Sequence, residues 1–277
     1  FKAYKSFLKY KFKMNLFELP CEMLINICEY LTDYEKLSFT TTCKHLSYVK
    51  ELLYFDREID YRKIEKLPYK YNFTNIKIEN SDYLNDLENF KYLKRLTIWN
   101  YPGTKYSIHI PNTVKYLRFG DYFNQDIKGI LPPFLKYLWL GDEFNKEIKD
   151  CFPNTLERLT FGCSFNQKIE GNIPPSVRRI TFCGRISNEN LKGIPDTITH
   201  LSLVRLFNDD LEGLIPKSVT HLTLDFNYTG SLNCLPRTIK HLCIRRLYDE
   251  SIEIDDFISN IREGIPDYIK SVDIHTM

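Results

Sequence analysis

No stretch of this chain approaches about eighteen consecutive apolar residues, so no membrane-spanning helix is predicted, and the lysine-rich start lacks the uncharged core of a signal peptide. The eight cysteines contain no Cys-x-x-Cys pair and fall short of the density of a secreted disulfide scaffold. A reduced setting, cytoplasmic or nuclear, is expected from them. An excess of one charge is missing too: 38 basic against 36 acidic residues leave +2, so no global field draws in a polyanion, and nucleic acid is disfavoured. Glycine-rich phosphate loops, His-Glu-x-x-His and Gly-x-Ser-x-Gly strings do not occur. These gaps leave no support for catalysis, and a non-enzymatic protein without a cofactor is the expectation.

What the chain has is repetition. With 43% hydrophobic and 14% aromatic residues among 277, a substantial core is available. Prolines at 111, 132, 153, 174, 195 and 216 stand 21 residues apart, each leading into an alternating run such as Leu159-x-Phe161 or Leu222-x-Leu224. Phe123-Asn124, Phe144-Asn145, Phe165-Asn166 and Phe207-Asn208 follow at the same interval. Such a period marks a solenoid, and alternation marks strands buried on one face. Ten rungs are predicted, led by Phe73, Leu93, Val114, Leu135, Leu156, Val177, Ile198, Val219, Ile239 and Ile269. A coil this short leaves little room for a convex helix, so extended chain and turns are expected there. The asparagines are expected to turn inward as a buried ladder, with Asn166→Ala costing about 1–3 kcal/mol. The phenylalanines should stack beside them, and Gly129, Gly171 and Gly213 should permit tight turns.

The N-terminal part is different. Residues 1–13 form a basic extension that either makes an amphipathic stripe or stays unstructured. From Leu16 to Val49 the apolar period is helical: Pro20 fits a first helical turn, with Met23, Leu24, Ile27 and Leu31 on one face. Thr32-Asp33-Tyr34-Glu35 reads as a capping box opening a second helix with Leu37, Phe39, Cys43 and Leu46. About forty residues bury too little surface to stand alone.

Leu19-Pro20-x-Glu22-Met23-Leu24-x-x-Ile27-x-x-Tyr30-Leu31, with Leu37 and Cys43-Lys44, resembles an F-box, except that Leu46 stands where many F-boxes have tryptophan. That resemblance implies binding to the Skp-type adaptor of a cullin complex through Leu19, Pro20, Leu24, Ile27 and Leu31. The repeats resemble the FNIP repeat, a short relative of the leucine-rich repeat, best over 111–236. The pairing of the two is seen in proteins of giant DNA viruses of amoebae. It implies an α+β protein: a helical F-box at 14–56, degenerate capping repeats at 57–110, FNIP repeats at 111–236 and a degenerate C-terminal cap at 237–277. The whole solenoid is expected to be right-handed, with a parallel sheet on its concave face.

The implied function is a non-catalytic substrate receptor of an SCF-type ubiquitin ligase, in the host cytosol if viral. A scaffold without ligase recruitment, or a reader of phosphate or nucleic acid, stands as the alternative. For the unknown protein target, outward strand positions single out Tyr116, Arg118, Tyr137, Trp139, Arg158 and Arg179, the residue types that dominate binding hot spots. His200, His221 and His241 recur on adjacent rungs. They are read as a repeat-consensus row, with a pH-sensitive patch or a metal site as alternatives.

Overall fold

The structure is a computed structural model that describes residues 19–41, 44–99, 108–204, 211–226, 228, 230–246 and 265–276. The basic extension, Cys43 and Phe207-Asn208 lie outside the described residues.

Two helices open it, α1 (Cys21–Glu29) and α2 (Asp33–Thr41). Pro20 precedes α1 as its cap residue rather than sitting in the first turn, and its carbonyl accepts from Met23 and Leu24. Leu24 and Cys28, four apart and so on one face, are buried. Thr32 and Glu35 close the predicted capping box: Glu35 Oε2 accepts from the Thr32 amide at 2.9 Å, and Thr32 Oγ1 accepts from the Glu35 amide at 3.4 Å. The backbone bond from Thr32 holds the Glu35 carboxyl below its ordinary range. The 3-10 helix Lys44–Leu52 then buries Leu46 and Val49 completely, so leucine fills the core at the tryptophan position.

Eleven described strands form one parallel sheet in sequence order. They are β1 (Ile59–Asp60), β2 (Asn75–Ile78), β3 (Arg95–Ile98), β4 (Tyr116–Phe119), β5 (Tyr137–Trp139) and β6 (Arg158–Phe161), then β7 (Arg179–Phe182), β8 (His200–Leu203), β9 (His221–Asp225), β10 (His241–Arg246) and β11 (Ser271–Thr276). The ten predicted rungs supply β2 to β11, and β1 is a short edge that periodicity does not reveal. Register carries Leu96, Leu117, Leu138, Leu159, Ile180, Leu201, Leu222 and Leu242 into one column, each 3% exposed or less. The recurring proline has a plain role. The carbonyls of Pro111, Pro132, Pro153, Pro174, Pro195, Pro216, Pro236 and Pro266 each accept from the amide three residues on, at 3.0–3.2 Å, turning the chain into the next strand.

Phe123, Phe144 and Phe165 stack as predicted, with centroids 6.1 and 6.2 Å apart and rings within 9° of parallel. Gly129, Gly171 and Gly213 take φ of 78°, 73° and 68°, and Asp150 holds the same place in its coil at 56°. The asparagines depart from expectation. Asn124, Asn145 and Asn166 are exposed, because their side chains reach along the surface to the next coil instead of inward. Asn124 Oδ1 accepts from the Asn145 amide and Asn145 Oδ1 from the Asn166 amide, both at 3.0 Å. The ladder exists, but on the outside, where water can replace a lost bond.

The absence of convex helix also has an exception. Where Ile186-Ser187 replaces Phe-Asn, α3 (Asn188–Lys192) forms, because Ser187 Oγ accepts from the Asn190 amide at 3.2 Å and caps it. Among the described residues no helix is long and apolar enough to cross a membrane.

The helices are fastened to the array. Lys36 is only 8% exposed, and its Nζ donates to the Tyr54 carbonyl at 2.8 Å and pairs with Asp33 at 3.4 Å. Asp33 Oδ2 accepts from the Arg57 amide at 2.6 Å. A buried ammonium left unpaired would be costly, so these bonds fix how α2 sits on the first coil. Phe55 stacks on Phe73 at 4.8 Å and continues one core from the module into the solenoid.

Candidate protein-interaction surfaces

Two surfaces can meet a partner. On the module, Leu19 and Leu24 are 6% and 0% exposed and pack inside. Ile27 and Leu31 are half-buried, and Pro20 is open. Met23, Tyr30 and Tyr34 are 48%, 89% and 77% exposed. Met23 and Ile27 lie four apart on α1 with Tyr30 just past its end, so an apolar edge, exposed at Met23 and Tyr30 and packed on the core at Ile27, runs beside the buried Leu24 and Cys28. The F-box resemblance implied Leu19 and Leu24 at the contact, whereas in this structure both fill the module's own core.

The second surface is the solvent face of the sheet. Alternation turns residues 95, 116, 137, 158 and 179 outward as one column and 97, 118, 139 and 160 as the next, because each strand buries the residue between. Tyr116 and Tyr137 stack with centroids 4.3 Å apart. Arg95 caps that pair from one side at 4.6 Å and Arg158 from the other at 4.9 Å. Beside it Arg118 lies between Trp99 and Trp139, at 5.1 and 4.1 Å. A guanidinium on an aromatic face gains cation–π attraction while its edge N–H groups stay free to donate. Tyr116, Arg118, Tyr137, Trp139 and Arg158 line one hollow of about 380 Å³ together with Arg95. Arg179 does not line it; it is exposed one rung further on. Arg95 and Trp99 complete the arrangement. Strand alternation put Arg95 in the right column, whereas Trp99 follows its strand and had no repeat partner to mark it.

The histidines continue the first column. His200, His221 and His241 stack face to face with centroids 4.0 and 4.3 Å apart. Nδ1 of His200 lies 2.9 Å from Thr199 Oγ1, that of His221 2.9 Å from Thr220 Oγ1, and that of His241 2.6 Å from Ser271 Oγ. Parallel rings do not converge their nitrogens on one point, and no group of metal-ligating side chains is found among the described residues. Burial, with smaller repulsion from Arg179, pushes His200 down to about 4, and burial lowers His221 as well.

A family model described as FNIP Repeat matches residues 123–164, 165–205 and 207–245. Over these residues, and not over the strands before and after them, the array matches FNIP repeats. An FNIP repeat-containing protein of Acanthamoeba polyphaga mimivirus is 30% identical over 127 residues, covering 41% of this chain and 32% of that protein. An F-box protein of the same virus is 40% identical over 63 residues, or 23% of this chain and 25% of that one. Among solved structures, that of CroV588, described as a novel circular LRR protein structure, matches with a TM-score of 0.53 at 26% identity over 79% of this chain and 32% of its own. The chain thus spans about a third or less of the length of the relatives it matches. It is a repeat protein similar over parts of its length to viral FNIP and F-box proteins, and its sheet and few helices fit a leucine-rich-repeat solenoid.

Proposed function

We propose that the chain is a non-catalytic substrate-recognition subunit of an SCF-type cullin-RING ubiquitin ligase. In this reading α1 and α2 dock a Skp-type adaptor and the FNIP array holds a target protein for modification, in the cytosol of a host. The observation that carries it is the exposure of Met23, Tyr30 and Tyr34 and of Pro20, with Ile27 half-buried, on a module clamped to the array by Lys36. A small soluble module gains nothing in isolation from exposing methionine and tyrosine on one edge, whereas a partner would cover them. The clamp gives the reading its mechanism: a target held on the sheet keeps a set distance from whatever binds α1, as transfer of a bulky group to that target requires.

The test is capture on purified Skp adaptor of the native chain and of Met23→Asp with Tyr30→Asp. These positions are exposed, so the double variant should keep its fold, unlike a substitution of the wholly buried Leu24. Capture is expected to fall at least tenfold with an unchanged melting temperature. Equal capture of both proteins would overturn the reading.

A further inference from the structure

The sheet face that lines the hollow carries a charge pattern that the proposed receptor role leaves unexplained. Arg95, Arg118, Arg158 and Arg179 lie on four of five successive rungs, and among the described residues no carboxylate is within ion-pair distance of any of them. Glu58 lines the hollow itself beside Thr97 and is the one carboxylate among its lining residues. Glu58 accepts from Thr97 Oγ1 at 3.0 Å, and Glu79 pairs with Arg62 at 2.5 Å and Lys77 at 2.7 Å. Arg118 is held tightly enough between its two indoles that its Nε is shut off from water without a hydrogen-bond partner. A chain of nearly balanced charge, +2 overall, has therefore placed a row of unpaired cations on one aromatic wall. That row is a local field in a protein with almost no global one, and an anionic partner would relieve it.

Resting on the receptor reading, we infer that the hollow over β3 to β6 takes an extended, acidic peptide segment of the target, recognised through its aspartate and glutamate carboxylates. The spacing favours separate carboxylates over a single phosphate. Arg95 is drawn over Tyr116, Arg158 over Tyr137 and Arg118 between the tryptophans, so each guanidinium is held on its own ring and the three do not gather at one point. A phosphate is best held by two or more converging donors. Rungs about 4.8 Å apart put Arg95 and Arg158 about 14 Å from each other, which an extended chain covers in about four residues. Acidic residues about four apart would meet both cations, and an aromatic or aliphatic side chain between them would lie on the exposed part of Trp139.

The test uses a fluorescein-labelled 16-residue peptide of repeated Glu-Ala-Tyr-Ala, with Gln-Ala-Tyr-Ala and phosphoserine-Ala-Tyr-Ala versions and a thymidine 12-mer, in anisotropy titrations at fixed salt. The glutamate peptide is expected to bind at least tenfold more tightly than the glutamine one. Arg95→Gln with Arg158→Gln should weaken it at least tenfold, and Lys128→Gln with Lys149→Gln, which removes the same charge away from this face, should stay within twofold. Melting temperatures of all variants separate lost binding from lost fold. No preference for glutamate over glutamine would overturn the inference, as would equal weakening in the two double variants. A phosphoserine peptide bound tenfold more tightly than the glutamate one would reassign the face to phosphate, and tighter binding of the thymidine 12-mer would reassign it to nucleic acid. Adaptor capture is run on the same proteins: capture without peptide binding defeats the acidic-segment inference alone, and peptide binding without capture defeats the ligase reading alone.

Discussion

Gly141→Ala should be among the most damaging single-methyl changes available in this chain, and geometry says why. A Cβ built on Gly141 would lie 1.8 Å from the Gly120 carbonyl oxygen, 2.6 Å from its carbon and 3.1 Å from the Asp121 Cα. An ordinary carbon–oxygen contact needs about 3.3 Å, so the two coils would have to separate by about 1.5 Å at a point where parallel strands sit about 4.8 Å apart. The obstructing atoms are backbone and cannot rotate away. Overpacking with a movable side chain costs about 1–3 kcal/mol, and this backbone clash is expected to reach about 3–5 kcal/mol, a large part of a stability of about 5–15 kcal/mol. Gly129→Ala provides the contrast. No atom lies within 4 Å of its Cβ position, so only its left-handed φ of 78° is strained, at about 1–2 kcal/mol. Equilibrium urea unfolding of the two variants, followed by circular dichroism, should therefore separate their free energies by at least about 1 kcal/mol. Equal midpoints would refute the claim that strand-end glycines set the approach of neighbouring coils.

Three further outcomes are expected. Asp150→Gly should raise stability by about 1 kcal/mol in the same assay, since aspartate there holds φ of 56° that glycine adopts freely; a loss would mean that the Asp150 side chain does something its backbone does not reveal. Asn145→Ala should cost about 0.5–1.5 kcal/mol, because Asn145 Oδ1 accepts from both the Asn166 amide at 3.0 Å and Gln167 Nε2 at 2.9 Å, whereas exposed Asn166→Ala should cost under about 0.5 kcal/mol; the reverse order would contradict the surface ladder. His200, held down to about 4 against 6.5, binds its proton more readily when unfolded, so it contributes stability above pH 6.5 that is lost as pH falls toward 4. Discounted for its part exposure, the loss between pH 7.5 and 5 is about 1 kcal/mol, and His200→Tyr should remove that much of the slope; an unchanged slope would show that the stack of His200 on His221 does not resist protonation.

Much of this architecture was legible because repetition multiplies a weak signal. One apolar-polar-apolar run is ambiguous, but seven of them 21 residues apart, each three residues after a proline or its substitute, leave few alternatives to stacked parallel strands. The same logic failed wherever the repeat lapses. β1 has no proline and only two residues, and α3 arises because Ser187 brings a capping hydroxyl to a place where the other coils have asparagine. The outward turn of the asparagines was hidden for another reason. A conserved-looking polar residue next to a buried phenylalanine reads as inward, but Phe144 faces the core at 0% exposure while its neighbour Asn145 points out, as adjacent residues of extended chain do.

The glycines at 120, 141 and 162 share the 21-residue interval and went unread because glycine signals turns first, whereas here it signals contact between coils. Their column has a consequence for the binding face. Gly120 and Gly162 stand one position beyond their strands and Gly141 two, at the repeat position of Trp99, so past that tryptophan the wall carries no side chains for three rungs, and Trp139 is 39% exposed. Leucine recurs at the inward positions because every coil must close on the same core, while the outward positions run Arg95, Tyr116, Tyr137, Arg158, Arg179 and then histidine, which packing alone does not demand. The identity of a partner is therefore written in how the rungs differ, on a wall whose shape is set by how they agree.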